Sequence, residues 1–95
     1  LDALAERMLV NPQLVIEICV YTDARGDVTK HQPMTQKQAE AATAYLVSKA
    51  VPKERLVAKG FGSSRILNRC VAGTECSDEE HAVNRRTEYK VVKVL

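Results

Sequence analysis

The segment "VYTDARG", Val20 to Gly26, ends an apolar run by delivering a hydroxyl and a carboxylate, Thr22 and Asp23, into a loop that carries a glycine. In open α/β sheets, ligands bind beyond the carboxyl ends of the strands, where such residues lie. Asp23 can accept hydrogen bonds from an ammonium group. Further on, "TQKQAEAATAYLVSKA" reads as a helix, with Thr35 as N-cap and Gln38 completing a capping box. The free N–H groups and positive dipole end of such a helix suit a carboxylate. One rim can therefore hold both ends of a zwitterion, the shape of an amino-acid headgroup. The plain alternative for Asp23 is a turn-forming role, its side chain bonding its own backbone, and on spacing alone this is the commoner use.

Other reactive side chains are less telling. Arg85 and Arg86 can place a cation beside the same rim, or can simply end a solvated helix and complement its dipole. His31 and His81 read as surface or capping residues, and neither has the partner cluster of a metal site. Gly60-Phe61-Gly62 is too short for a phosphate-binding loop and reads as a turn. No nucleophile and base can be paired, which makes an enzyme the weakest of the readings. Cys70 and Cys76 flank a glycine in "CVAGTEC". They can close a small disulfide ring, which implies an oxidising compartment. Free thiols and, less readily, a metal site are the alternatives. Cys19 sits inside the apolar run as a small buried hydrophobe.

The elements that must position these groups follow from periodicity. Leu1, Leu4, Ala5, Met8 and Leu9 recur at helical spacing, and Asn11-Pro12 ends that helix. "LVIEICVY" is apolar on nearly both faces, as a central strand is, with only Glu17 interrupting. Residues 22–34 read as loop. In the second helix, Ala39, Ala42, Leu46, Val47 and Ala50 make the expected buried face, and Pro52 follows its end. "RLVAKG", Arg55 to Gly60, is a short strand, so strand–helix–strand forms a right-handed parallel βαβ unit. A long loop then leads to a short helix, "SDEEHAVNRR", with Ser77 as N-cap and acids in its first turn. "TEYKVVKVL" is a final strand.

A chain of 95 residues makes one domain with a modest core. A net charge of +2 and few aromatics argue against a nucleic-acid partner. No apolar run approaches the roughly 20 residues of a membrane-spanning helix. The chain opens directly on a helical pattern, as a piece of a longer protein does. Any membrane attachment is then expected through other parts of that parent.

Taken together, "IEICVYTDARG", "MTQKQAEAATAYLVSKAV", "RLVAKGFG" and "NRRTEYKV" resemble the OmpA-like peptidoglycan-binding domain, in order and from about Leu1 to Val94. The resemblance implies an α/β fold: a βαβ-containing mixed sheet packed with helices, here lacking the family's first strand and so leaving one sheet edge bare. It implies no catalysis and no cofactor. It implies binding of the peptide stem of peptidoglycan at a diaminopimelate-type residue, and a periplasmic domain tethered to the outer membrane. Asp23 would receive the ligand's ammonium, Thr22 would shape the same turn, and Arg85 would be the first arginine of the Asn-Arg-Arg motif, near the pocket. The cysteines before that motif fit a version of the family found in outer-membrane proteins.

The chain departs from the family pattern at three places. Tyr21 stands where a histidine precedes Thr-Asp, His31 stands where the loop carries asparagine, and Gln38 stands where the helix carries the arginine that clamps the ligand's carboxylate. Replacing a charge-assisted fork by a neutral amide removes about 1.5–3 kcal/mol of binding. Lys30, Lys37 and Arg25 are the cations available to compensate. Two readings follow. Asp23, Gly26 and Arg85 favour a wall-anchoring module. Gln38 and His31 favour a structural or protein-interaction domain of the same fold that has lost its ligand.

Overall fold

A run of apolar residues broken only by Glu17 forms strand β1, Leu14–Tyr21, at the centre of a three-stranded sheet in the computed structural model, which describes residues 1–95. The strand order is β2-β1-β3, with β2 at Leu56–Gly62 and β3 at Arg86–Val94. β2 lies parallel to β1, pairing Ile16 with Leu56 and Val20 with Gly60. β3 lies antiparallel, from Leu14 opposite Val94 to Tyr21 opposite Arg86. The βαβ unit is as the residue pattern predicts, and the mixed sheet is as the family resemblance implies.

Helices α1, Asp2–Val10, and α2, His31–Ser48, cover one face of the sheet. Ala5, Met8, Ile16, Ile18, Val20, Ala39, Leu46, Val51 and Leu56 form the core between them. On the opposite face of β1, Cys19 is fully buried and Tyr21 nearly so. Burial, reinforced by the neighbouring Glu17 carboxylate, pushes the Cys19 thiol up to about 11. Arg55 is buried without an acidic partner. Its guanidinium donates to the carbonyls of Met8 (2.7 Å), Asn11 (2.6 Å) and Leu14 (2.9 Å), tying the end of α1 to the start of β1. The Met8 and Asn11 carbonyls are orphans of a helix end, for which a cation is the natural partner.

The second helix differs from the expectation at both ends. It begins at His31, preceded by a 3₁₀ turn at Val28–Lys30, so Thr35 and Gln38 form no capping box. Pro33 falls in the first turn, where a missing N–H costs nothing, and its presence does not delay the helix. Thr35 is instead wholly buried. Its hydroxyl donates to the His31 or Gln32 carbonyl within the helix and accepts from the Gly62 N–H at 2.9 Å. At the other end, Ala50 takes a left-handed conformation, φ 75°, and Val51 N–H reaches back to the Leu46 carbonyl. This Schellman-type closure swings the chain so that Val51 enters the core, leaving Val47 and Ala50 exposed.

Gly60-Phe61-Gly62 continues β2 rather than turning. It does so because α2 takes up the outward backbone groups of this edge strand. Gln36 accepts from Gly60 N–H (2.8 Å) and donates to the Ala58 carbonyl (3.1 Å), and Gln32 donates to the Gly60 carbonyl. A Cβ at Gly60 would meet the Gln36 backbone nitrogen at 2.1 Å, so only glycine permits the approach. The bare edge is therefore the outer edge of β3, which has no neighbouring strand and exposes Tyr89, Val91, Val92 and Val94.

Helix α3, Asp78–Ala82, is capped by Ser77 as expected, and Glu80 closes a capping box with it. In the loop before it, Cys70 and Cys76 form a disulfide. Their sulfurs are bonded to each other, so the thiolate pair of a metal site is not available.

Candidate functional site

The carboxyl end of β1, the third turn of α2 and the start of β3 meet around a cavity of about 270 Å³. Its walls are Val20, Tyr21, Thr22, Met34, Gln38, Arg85, Arg86 and Thr87. Three of the residues singled out in the sequence, Thr22, Gln38 and Arg85, are thus brought together. Gln38 reaches the cavity because the early start of α2 places it about two turns into the helix, on an exposed face. A second hollow of about 470 Å³ shares Met34 and Gln38 with the first and adds Thr29, Lys30, Pro33 and Lys37. Of the three cations noted in the sequence, Lys30 and Lys37 therefore stand beside Gln38, while Arg25 does not.

Asp23 lies directly behind Arg85 and is buried. Its Oδ1 accepts from the backbone N–H of Arg25 at 2.9 Å, which is the turn-forming role, and from Arg25 Nε at 3.3 Å. Its Oδ2 accepts from Arg25 Nη2 at 3.1 Å and from Arg85 Nη1 at 2.8 Å. Burial alone would raise the Asp23 carboxyl. The hydrogen bonds from Arg25 and Arg85 outweigh it and hold the group well below the usual carboxylate range. Arg25 also bridges to Asp78 at the start of α3, so the rim loop is fastened to that helix.

Arg86 is fixed rather than free. It donates to Glu88 and to the carbonyls of Asn84 and Arg65, and its guanidinium lies 3.8 Å over the Tyr21 ring. Tyr21 stacks on Phe61 in turn, with ring centres 5.1 Å apart. The tyrosine that replaces the family histidine is therefore held between an arginine and a phenylalanine, and walls the cavity with an aromatic edge.

The histidines are not at the surface. His31 opens α2, is buried, and sets its Nδ1 2.9 Å from the Ser63 hydroxyl. It lines a separate cleft with Val28, Gln32 and residues 60–64, apart from Thr22, Gln38 and Arg85. His81 is buried in α3 beneath the 71–74 loop, and its Nδ1 has no hydrogen-bond partner. Arg86 stands beside the rim as its place next to Arg85 suggested, whereas Met34 and Thr87 were not anticipated as cavity walls. Met34 carries no sequence signal for it, whereas Thr87 follows from Arg85 and Arg86 once β3 is paired to the end of β1.

Comparison with known proteins assigns the fold to a family. The model of the OmpA family matches residues 1–80. Outer membrane porin F of Pseudomonas fluorescens is 31% identical over 88 residues, covering 93% of this chain and 26% of the relative. Outer membrane protein A of Serratia marcescens is 31% identical over 72 residues, covering 76% and 18%. The chain thus spans about a quarter or less of the length of these curated relatives. Among solved structures, the peptidoglycan-associated lipoprotein of Burkholderia pseudomallei superposes with a TM-score of 0.80 at 25% identity, covering 94% of this chain and 73% of that one. A MotB-like protein of Desulfovibrio vulgaris superposes at 0.77 and 22% identity, covering 93% and 54%, a likeness of fold. On its sequence, its mixed sheet and these matches, the chain belongs to the OmpA family.

Proposed function

We propose that this domain binds the peptide stem of peptidoglycan without catalysis, at a diaminopimelate-type residue, and so anchors the outer membrane to the cell wall from the periplasmic side. The observation that carries the reading is the convergence of Thr22, Gln38 and Arg85 on one cavity at the carboxyl end of the central strand. The similarity to a peptidoglycan-associated lipoprotein and to outer membrane proteins supports the wall and the membrane as the two ends of the tether. The cavity is of a size for one amino-acid side chain with its polar end groups, rather than for a sugar chain. A cation, an amide, a hydroxyl and an aromatic edge together suit binding, and the cavity walls hold no nucleophile with a base.

Two observations favour the second reading, an interaction domain without wall affinity. Gln38 carries no charge at the clamp position, and Asp23 is already engaged by two arginines. Co-sedimentation with purified sacculi decides between them. The wall-binding reading expects the protein in the pellet and its release by soluble muropeptide. Protein that stays in the supernatant at all sacculus concentrations refutes that reading and leaves the interaction domain.

A further inference from the structure

The cleft beside His31, of about 350 Å³, lies between the start of α2 and the end of β2 and takes no part in the peptide reading. It adjoins the first cavity directly. Thr22, a wall of the cavity, donates its N–H to the carbonyl of Gly62, a wall of the cleft, at 2.9 Å. Tyr21 of the cavity likewise stacks on Phe61 of the cleft. The two openings thus lie beyond the ends of adjacent parallel strands, which run about 5 Å apart.

The cleft differs from the cavity in its chemistry. No lysine, arginine or carboxylate lines it. Gln32 donates through Nε2 to the Gly60 carbonyl at 3.2 Å, which leaves its Oε1 free to accept. The Ser64 hydroxyl donates to the Phe61 carbonyl at 2.6 Å and keeps its lone pairs. Ser63 shares one hydrogen with His31 Nδ1 at 2.9 Å, and whichever atom donates, the serine oxygen retains a lone pair. His31 is itself buried, so it holds Ser63 in place. Val28 and Phe61 supply apolar surface. Uncharged acceptors on Gln32, Ser63 and Ser64, set beside an aromatic ring, suit hydroxyl donors on an apolar ring skeleton. An ammonium would leave water for a site with no countercharge, and a carboxylate would find no cation.

We propose that this cleft is a glycan subsite, which takes a neutral sugar ring of the wall's glycan strand through Gln32, Ser63 and Ser64 while the neighbouring cavity holds the peptide stem. The stems are joined covalently to that strand, so one ligand spans both openings. The inference rests on the peptide-stem reading for its ligand and adds a second chemical class to it.

The test compares three ligands by calorimetry: the free stem peptide, the same stem carried on its N-acetylated disaccharide, and that conjugate with the acetyl groups removed, which turns both sugars cationic. The backbone amide resonances of Ser63 and Ser64 report the place of binding. The proposal expects the acetylated conjugate to bind about tenfold or more tightly than the free stem, the worth of one or two hydrogen bonds, and deacetylation to remove that gain. Gln32→Ala combined with Ser64→Ala, both at exposed positions, should cut the gain to below about threefold while the free stem stays within about twofold. A general weakening of the fold would move both ligands together. Ser64→Ala alone, which leaves α2 untouched, should remove about threefold of the gain and keeps the test open if the double variant does not fold. Equal binding of stem and conjugate overturns the proposal. So does a gain that survives deacetylation or the substitutions, or a perturbation that spares Ser63 and Ser64. Sacculus binding with no gain from the disaccharide removes this inference and keeps the proposed function. Binding of the isolated disaccharide at Ser63 and Ser64 without binding of the free stem keeps the cleft and removes the peptide reading, and absence of both removes both.

Discussion

Replacing Asp23 by asparagine separates the two duties of this residue. Asparagine keeps an oxygen to accept from the Arg25 backbone N–H, so the turn after β1 persists. What is lost is the charge that holds two guanidinium groups. The contact with Arg85 is short, 2.8 Å, and the aspartate side chain is only 7% exposed, but the arginine side chain is 44% exposed. Hydrogen bonds to charged groups contribute about 1.5–3 kcal/mol, and solvent on the arginine side argues for the lower end. Arg25 adds little, because half of its side chain lies in water. Asp23→Asn should therefore cost ~1.5 kcal/mol, about tenfold in the folding constant, and lower Tm by ~6–12 °C. The pH dependence has a definite sign. The folded carboxyl lies below its unfolded value, near 4, so its contribution is present in full above about pH 5 and is lost as pH falls through the folded value. Urea unfolding of both proteins between pH 7 and pH 2.5 should show a gap that is constant down to about pH 5 and narrows below pH 4. A gap that never narrows, or one under ~0.5 kcal/mol throughout, would refute the assignment of Asp23 as a charged anchor.

Gln38→Arg should strengthen binding of a carboxylate ligand by about tenfold, since it adds a cation to the cavity wall beside Arg85 and Arg86, and calorimetry should find no gain for the amidated ligand. Because Gln38 is an exposed mid-helix residue rather than part of a cap, unfolding free energy should change by less than ~0.5 kcal/mol. Gly60→Ala drives a methyl group to 2.1 Å from a backbone nitrogen of α2 and should cost more than ~3 kcal/mol, read as loss of a cooperative melt or of soluble protein. Reduction of the Cys70–Cys76 bridge, which closes a loop of sequence separation 6, should lower stability by only ~2 kcal/mol, measured as melts with and without reductant. In the oxidised native protein Cys19 should resist alkylation until the sheet unfolds, because it is fully buried with its thiol pushed up to about 11.

The parts of the fold that were legible in the sequence are those written in local pattern. The β1 run, the Pro12 break, the helix from "TQKQAEAATAYL" and the Ser77 cap each announce themselves within a few residues. What was not legible depends on partners far along the chain. Thr35 looks like a helix cap because threonine usually caps. Its burial follows from the Gly62 N–H, 27 residues away, which needs an acceptor. Arg55 looks like a surface residue at a strand start. It is buried because three carbonyls of another segment converge where it points, and backbone acceptors leave no trace in a sequence. Gly60-Phe61-Gly62 looks like a turn because glycines usually turn. Here they are small so that a helix can approach. Thr22, Gln38 and Arg85, singled out by their neighbours in the motif, come together on one cavity. The engagement of Asp23 by Arg25 was not found, although the two residues stand only two apart.

The antiparallel course of β3 has a mechanical consequence. The strand starts immediately after Arg85, at the rim of the cavity, and runs the length of β1 to its opposite end, where Leu95 N–H bonds the Gln13 carbonyl. A pull applied through Arg85 and taken up by β1 at its start, Leu14, is directed along the strands. The bonds between β1 and β3 lie across that direction. They are loaded in shear, all along the ladder at once, so no single pair must carry the tension before the next. A pull at right angles would peel the same ladder open one pair at a time, at far lower force. The β1–β3 pair is thus stiff along the axis that joins its rim to the far end of the sheet and weak across it.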